Sequence, residues 1–109
     1  MKTIASNADI SELFARGRRL HTPFLTLIVL PQVKQHDHTG RVAFIAGKKL
    51  GNAVWRNRAK RRMRALCREL GGPWDGYDVI FLAKSTLTKC EYSKVLTACD
   101  DTLNRSGIR

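Results

Sequence analysis

The sequence predicts one α+β domain over residues 1–109, in two layers: a small, mostly antiparallel sheet of about four strands with three helices, ordered α-β-β-β-α-β-α, the first strand short. Three observations lead there. From Asn52 to Leu70 the apolar residues recur at steps of three and four, the helical period. Leu20–Leu30, Arg41–Ala46 and Tyr77–Ala83 are short runs rich in Val, Ile and Phe, bounded by Gly, Pro or polar residues, as strands are. A chain of 109 residues can close one hydrophobic core, and 43% hydrophobic content is ordinary for a globular domain.

Each element has its own signals. Ser6 or Asn7 caps a short first helix with Ile10, Leu13 and Phe14 as its apolar face, and Gly17 ends it. Arg16, Arg18 and Arg19 cluster at its exit, as a minor phosphate contact or as a solvated group. Pro23 breaks Leu20–Leu30 into a short first strand and a buried run from Phe24 to Leu30. Pro31–Gly40 is a polar loop; its His36-Asp37-His38 has metal-ligand residue types, but adjacent ligands with no third partner read as a hydrated loop. Arg41–Ala46 is expected to pair with the preceding strand as a hairpin, Val42, Phe44 and Ala46 on one face and Ala43 and Ile45 on the other.

Gly47–Gly51 turns into a basic helix capped by Asn52, with Trp55, Ala59, Met63, Leu66 and Leu70 as its stripe and Gly71-Gly72-Pro73 as its stop. Tyr77–Ala83 is a strand. In the last helix Thr88 and Glu91 form a capping-box pattern, Tyr92, Val95, Leu96, Cys99 and Leu103 the stripe, and Gly107 the end.

Charge is concentrated in that basic helix. Lys48 to Arg68 holds nine Lys or Arg and no acid, so the rest of a chain of net charge +11 carries only +2. Solvated helix faces usually alternate signs, and like-charged i,i+4 pairs repel, so the segment suits a polyanion. Arg56, Lys60, Arg64 and Arg68 follow at steps of four beside the stripe, with Arg58 and Arg61 rounding the far side. Asn57, between two arginines, can hydrogen-bond a phosphate, a 2′-hydroxyl or a base edge while the guanidiniums grip phosphates bidentately.

Other function classes find little support. The longest apolar run, Phe24–Leu30, is too short to span a bilayer, so no membrane partner is expected. Met1–Asp9 has no apolar export core, so the cytoplasm is the expected location. Cys67, Cys90 and Cys99 form no CxxC and read as reduced thiols, Cys67 and Cys99 on apolar stripes. No serine sits in a nucleophile elbow, no acids are spaced for a metal, and Lys48-Lys49-Leu50-Gly51-Asn52 lacks the Walker pattern. The chain reads as a binder with no catalytic side chain and no metal of its own.

The segment Lys48-Lys49-x-Gly51-Asn52-Ala53-Val54-x-Arg56-Asn57-Arg58-x-Lys60-Arg61 closely resembles the signature of the bacterial ribonuclease P protein subunit, whose hallmark is an Arg-Asn-Arg helix. The resemblance implies a ribonucleoprotein that cuts the 5′ leader from precursor tRNA. Its RNA subunit is the ribozyme, and Mg²⁺ is held mainly by RNA and substrate. It implies that Lys48, Lys49, Asn52, Arg56, Asn57, Arg58, Lys60, Arg61, Arg62 and Arg64 face the catalytic RNA. A cleft between the sheet and the first helix would hold the single-stranded leader, with Phe14, Phe24 and Phe44 for stacking and Arg16, Arg18 and Arg19 for phosphates; plain core packing is the other reading of those rings. It further implies a monomeric protein, about one per RNA subunit. The general rule makes the strand–helix–strand unit right-handed; the family implies the rare left-handed crossover, like that of the second domain of a small-subunit ribosomal protein. Two positions depart from the pattern: Ile10, where an aromatic is common, and Gly47, where a serine often precedes the lysines.

Three readings compete with this one. A general RNA-binding or chaperone protein would bind many RNAs alike. A DNA-binding module would place the basic helix in a major groove, although the cations wrap most of that helix. A stand-alone nuclease would need metal-binding acids.

Overall fold

The computed structural model describes residues 1–32 and 37–109. Helix α1 runs Asn7–Arg16, followed by strands β1 (Arg18–His21), β2 (Leu25–Pro31) and β3 (Arg41–Ile45), helix α2 (Ala53–Glu69), strand β4 (Tyr77–Ala83) and helix α3 (Tyr92–Ser106). Short 3-10 turns at Lys48–Leu50 and Ser85–Thr88 precede α2 and α3. The expected order, with its short first strand, is the observed one.

The four strands lie in the spatial order β1-β2-β4-β3. β1 with β2 and β2 with β4 are antiparallel, whereas β3 runs parallel to β4. The expected hairpin of β2 with β3 does not form, because β4 inserts between them and pairs Leu27 with Phe81 on one side and Phe44 with Phe81 on the other. Parallel neighbours need a long crossover, which α2 supplies. The N-terminal segment covers the β3 edge: Val42 N–H donates to the Lys2 carbonyl (3.1 Å) and Ile4 N–H to the Val42 carbonyl (2.9 Å).

Alternation sorts the strand residues as read from the sequence. Leu25, Leu27, Val29, Val42, Val79 and Phe81 pack with Ala59, Met63 and Leu66 of α2 and Val95, Cys99 and Leu103 of α3. Ile28, Ala43 and Ile80 point the other way, onto Ile4 and Leu13. The two expected layers are the sheet with α2 and α3; α1 adds a partial third layer on the opposite face.

The helix ends follow their caps, with one correction. Ser6 Oγ accepts the Asp9 N–H, and Gly17 N–H closes α1 on the Leu13 carbonyl. At α3 the Thr88–Glu91 capping box is not formed: Thr88 ends the preceding turn, and Glu91 takes the N-cap position with no side-chain bond. Gly107 ends α3 at φ +83°, a left-handed conformation that suits glycine.

Candidate nucleic-acid interface

The interface is built on α2. Asn52 Oδ1 accepts the Trp55 N–H at 2.9 Å, satisfying one of the free donors of the first turn. A Cβ on Gly51 would stand 2.9 Å from the Trp55 side chain, so the chain enters the helix against that ring only as glycine. Gly47 has open space around it, and a serine would fit there. Ala59, Met63, Leu66, Cys67 and Leu70 are buried against the sheet and α3, while Trp55 is half-buried. The remaining faces of the helix point outward.

On those faces Lys48, Lys49, Asn52, Asn57, Arg58, Arg61 and Arg64 are exposed, and Arg56 and Lys60 half-buried. Val54, Asn57, Lys60, Arg61 and Arg64 line an open groove of about 520 Å³. Val54 is 69% exposed among these cations, an apolar spot the sequence reading did not single out. The Arg64 guanidinium lies 5.6 Å from the Phe44 ring centroid, carrying the basic surface to the β3 edge of the sheet. Arg62 differs from its neighbours: its Nη1 donates to the Leu87 and Cys90 carbonyls at 2.6 and 2.9 Å.

Among the described residues, none of the nine cations from Lys48 to Arg68 forms an ion pair. The pairs found are Lys2–Asp37, Arg16–Glu12, Arg41–Asp9, Arg41–Asp78 and Arg109–Asp100. The acids in these pairs neutralise cations elsewhere, and among the described residues none is paired with a cation of α2.

The residues expected for a leader cleft divide between the two faces of the sheet. Phe14 packs on the α1 side, with the Arg19 guanidinium 5.7 Å from its ring centroid. Phe24 and Phe44 pack instead with the large cluster, Phe44 5.4 Å from Phe81 between ring centroids. Arg18 Nη1 donates to the Ser106 carbonyl at 3.0 Å, and Arg16 pairs with Glu12. The strand register explains the division, because Arg18 and Leu20 alternate with Arg19 and His21. On the α1 side a row crosses all four strands: His21 opposite Thr26, Thr26 opposite Leu82, Leu82 opposite Ile45. Sequence reasoning missed this row, since it becomes visible only once β4 is placed between β2 and β3.

His36 of the His36-Asp37-His38 triplet lies outside the described residues. Hydrogen bonds from Thr39 and Lys2 hold the Asp37 carboxyl well below the usual carboxylate range. Cys67, Cys90 and Cys99 are free thiols, and burial pushes Cys67 up to about 11 and Cys99 up to about 12. Among the described residues no group of three or more His, Cys, Asp or Glu is placed to hold a metal ion, and no helix is long and apolar enough to cross a membrane.

Residues 1–107 match the family model described as Ribonuclease P. The chain belongs to the ribonuclease P protein family. The Ribonuclease P protein component of Natranaerobius thermophilus is 36% identical over 94 residues, covering 84% of this chain and 78% of the relative. That of Gluconacetobacter diazotrophicus is 29% identical over 108 residues, covering 97% and 91%. The fold is that of the RNase P protein from Staphylococcus aureus (TM-score 0.81, 23% identity, 99% and 97% covered) and of the one from Thermotoga maritima (TM-score 0.78, 20% identity, 96% and 97% covered). Membership gives this chain a part in tRNA 5′ processing within a ribonucleoprotein, in association with the RNase P RNA and the tRNA substrate.

Proposed function

We propose that this chain binds the catalytic RNA of ribonuclease P through the outward cations of α2 and the Lys48–Gly51 approach to it, and that the RNA, not a protein side chain, carries the cleavage. The observation behind this reading is the uncompensated field of α2 and its approach, with none of the nine cations from Lys48 to Arg68 in an ion pair among the described residues. A helix so charged gains most from an anionic partner that releases counterions as it docks. Lys48, Lys49, Arg56, Arg58, Lys60, Arg61 and Arg64 take the phosphates in this reading, Asn57 adds an amide, and Asn52 organises the first turn.

The leader then lies along the α1 side of the sheet. Phe14 offers a ring, Arg19 a phosphate contact, and the His21–Thr26–Leu82–Ile45 row a partly apolar floor. Stacking and phosphate contacts of this kind tolerate many leader sequences. Mg²⁺ sits on RNA and substrate oxygens. The protein raises its affinity indirectly, by offsetting repulsion between the two RNAs and holding the leader in register. One protein per RNA subunit suffices for this arrangement.

The test is leader cleavage of a precursor tRNA at low Mg²⁺ with protein alone, a bacterial RNase P RNA alone, and both together. Strong cleavage only in the combined mixture is expected. Cleavage by protein alone would overturn the reading. Binding without stimulation would leave a general RNA-binding or chaperone protein.

A further inference from the structure

Arg62 and Trp55 are seven residues apart, two helical turns, and so share one side of α2. Trp55 Nε1 donates to Thr88 Oγ1 at 2.9 Å. Two turns on, Arg62 Nη1 donates to the Leu87 carbonyl at 2.6 Å and the Cys90 carbonyl at 2.9 Å, its guanidinium 5.7 Å from the Tyr92 ring centroid. All these partners belong to one short segment, Leu87 to Tyr92, which leads from the second 3-10 turn into the first residue of α3. Leu87 is fully buried, so the segment is itself anchored in the core.

We propose that Arg62 is a positioning residue. Together with Trp55 it sets the roll of α2 on the Leu87–Tyr92 seat, and so aims Asn57, Arg58, Arg61 and Arg64 at the RNA without touching RNA itself. The inference rests on the reading of α2 as the RNA-binding helix. The buried stripe alone holds roll loosely, because apolar contact is non-directional, whereas a planar guanidinium bonded to two fixed carbonyls has a defined direction. A roll of about 20° moves a side-chain tip about 6 Å from the axis by about 2 Å, enough to break a phosphate hydrogen bond. Both bonds come from Nη1, so one end of the Arg62 guanidinium is held by protein carbonyls, although the residue lies in the most cationic stretch of the chain.

Counterion release separates a phosphate contact from a positioning residue. The experiment measures affinity for a bacterial RNase P RNA over a salt series, with the full chain as wild type, Arg58→Ala, Arg62→Ala and Arg62→Lys. Arg58→Ala should flatten the slope of log K against log salt by about 0.7–0.9, one phosphate contact. Arg62→Ala should lose on the order of tenfold in affinity at the wild-type slope, two hydrogen bonds from a charged donor having gone. Arg62→Lys keeps the charge without the planar fork and should resemble Arg62→Ala, not the wild type.

Fluorescence supplies a readout independent of RNA. In a Trp74→Phe background, which leaves Trp55 as the only tryptophan, Arg62→Ala and Arg62→Lys should shift Trp55 emission to the red, and Arg58→Ala should not. A slope flattened by Arg62→Ala as by Arg58→Ala would overturn the proposal, and so would unchanged affinity and emission. If Arg62→Ala fails to show a cooperative thermal transition, Arg62→Lys decides by the same criteria. Should Arg58→Ala change neither slope nor affinity, the RNA-binding reading of α2 fails instead, and the Trp55 shift alone decides for the seat.

Discussion

At the scale of single residues, a count of cations says little until each is assigned a task. Arg41 is committed to the fold: its Nε and Nη2 hold Asp78 Oδ1 and Oδ2 at 3.0 and 2.6 Å, and its Nη1 reaches Asp9 at 3.3 Å. Hydrogen bonding to Asp78 raises the Arg41 pKa above its ordinary value, so this guanidinium stays charged. Arg109 Nη1 donates to the Leu70 carbonyl at 2.9 Å, capping α2, while its other nitrogen pairs with Asp100 on α3. Removing Arg41 would leave Asp78, 8% exposed, as a buried carboxylate whose side-chain partner among the described residues is Gln32 Nε2 at 2.8 Å. Arg41→Ala should therefore lower stability by about 3–5 kcal/mol, as breaking buried pairs generally does. Denaturant unfolding measures the loss, and the salt slope of RNA binding should stay at its wild-type value.

At the scale of elements, α2 was legible in full because each of its signals is local: the Asn52 cap, the three-four stripe and the Gly71-Gly72 stop. The sheet was legible strand by strand but not in its order. Strand pairing depends on contacts between residues far apart in sequence, and proximity alone favoured the wrong neighbour for β3. A signal was present in Val79, Ile80 and Phe81, consecutive and wholly buried, the mark of a strand covered on both faces and so central. Without that order the residues expected for a leader cleft cannot be sorted by face, and Phe24 and Phe44 fall together with Phe14. Thr88 misled for a related reason, since its hydroxyl serves Trp55 on another element instead of its own helix.

The Asn52 cap permits a clean separation of helix stability from RNA contact. Asn52→Ala should cost about 1 kcal/mol through the lost cap. Asn52→Asp keeps a good capping oxygen and adds a negative charge at the basic surface. Its thermal midpoint should match the wild type, while affinity for the RNase P RNA falls severalfold. An unchanged affinity would place Asn52 away from the RNA.

At the scale of the whole molecule, the charge that serves binding acts against the free protein. The seven cations of α2 repel along the helix, while acids such as Asp78 and Asp100 are paired elsewhere. Arg58 repels Arg61 at i+3 and Arg62 at i+4, and Arg61 repels Arg64 at i+3. Each such pair on a helix surface is worth about 0.2–0.5 kcal/mol, so replacing Arg58 and Arg61 together by Gln should stabilise the free protein by about 1 kcal/mol at low salt. For a domain of this size that is a rise of about 4–8 °C in Tm. Raising the salt screens the same repulsion, so the wild type should gain Tm with salt and the gap between the two proteins should close. RNA affinity should move the other way, falling in the double variant with a flatter salt slope. Scanning calorimetry at low and high salt, beside RNA binding, checks both halves. A double variant no more stable than the wild type at low salt would mean that the α2 cations are solvated too well to repel.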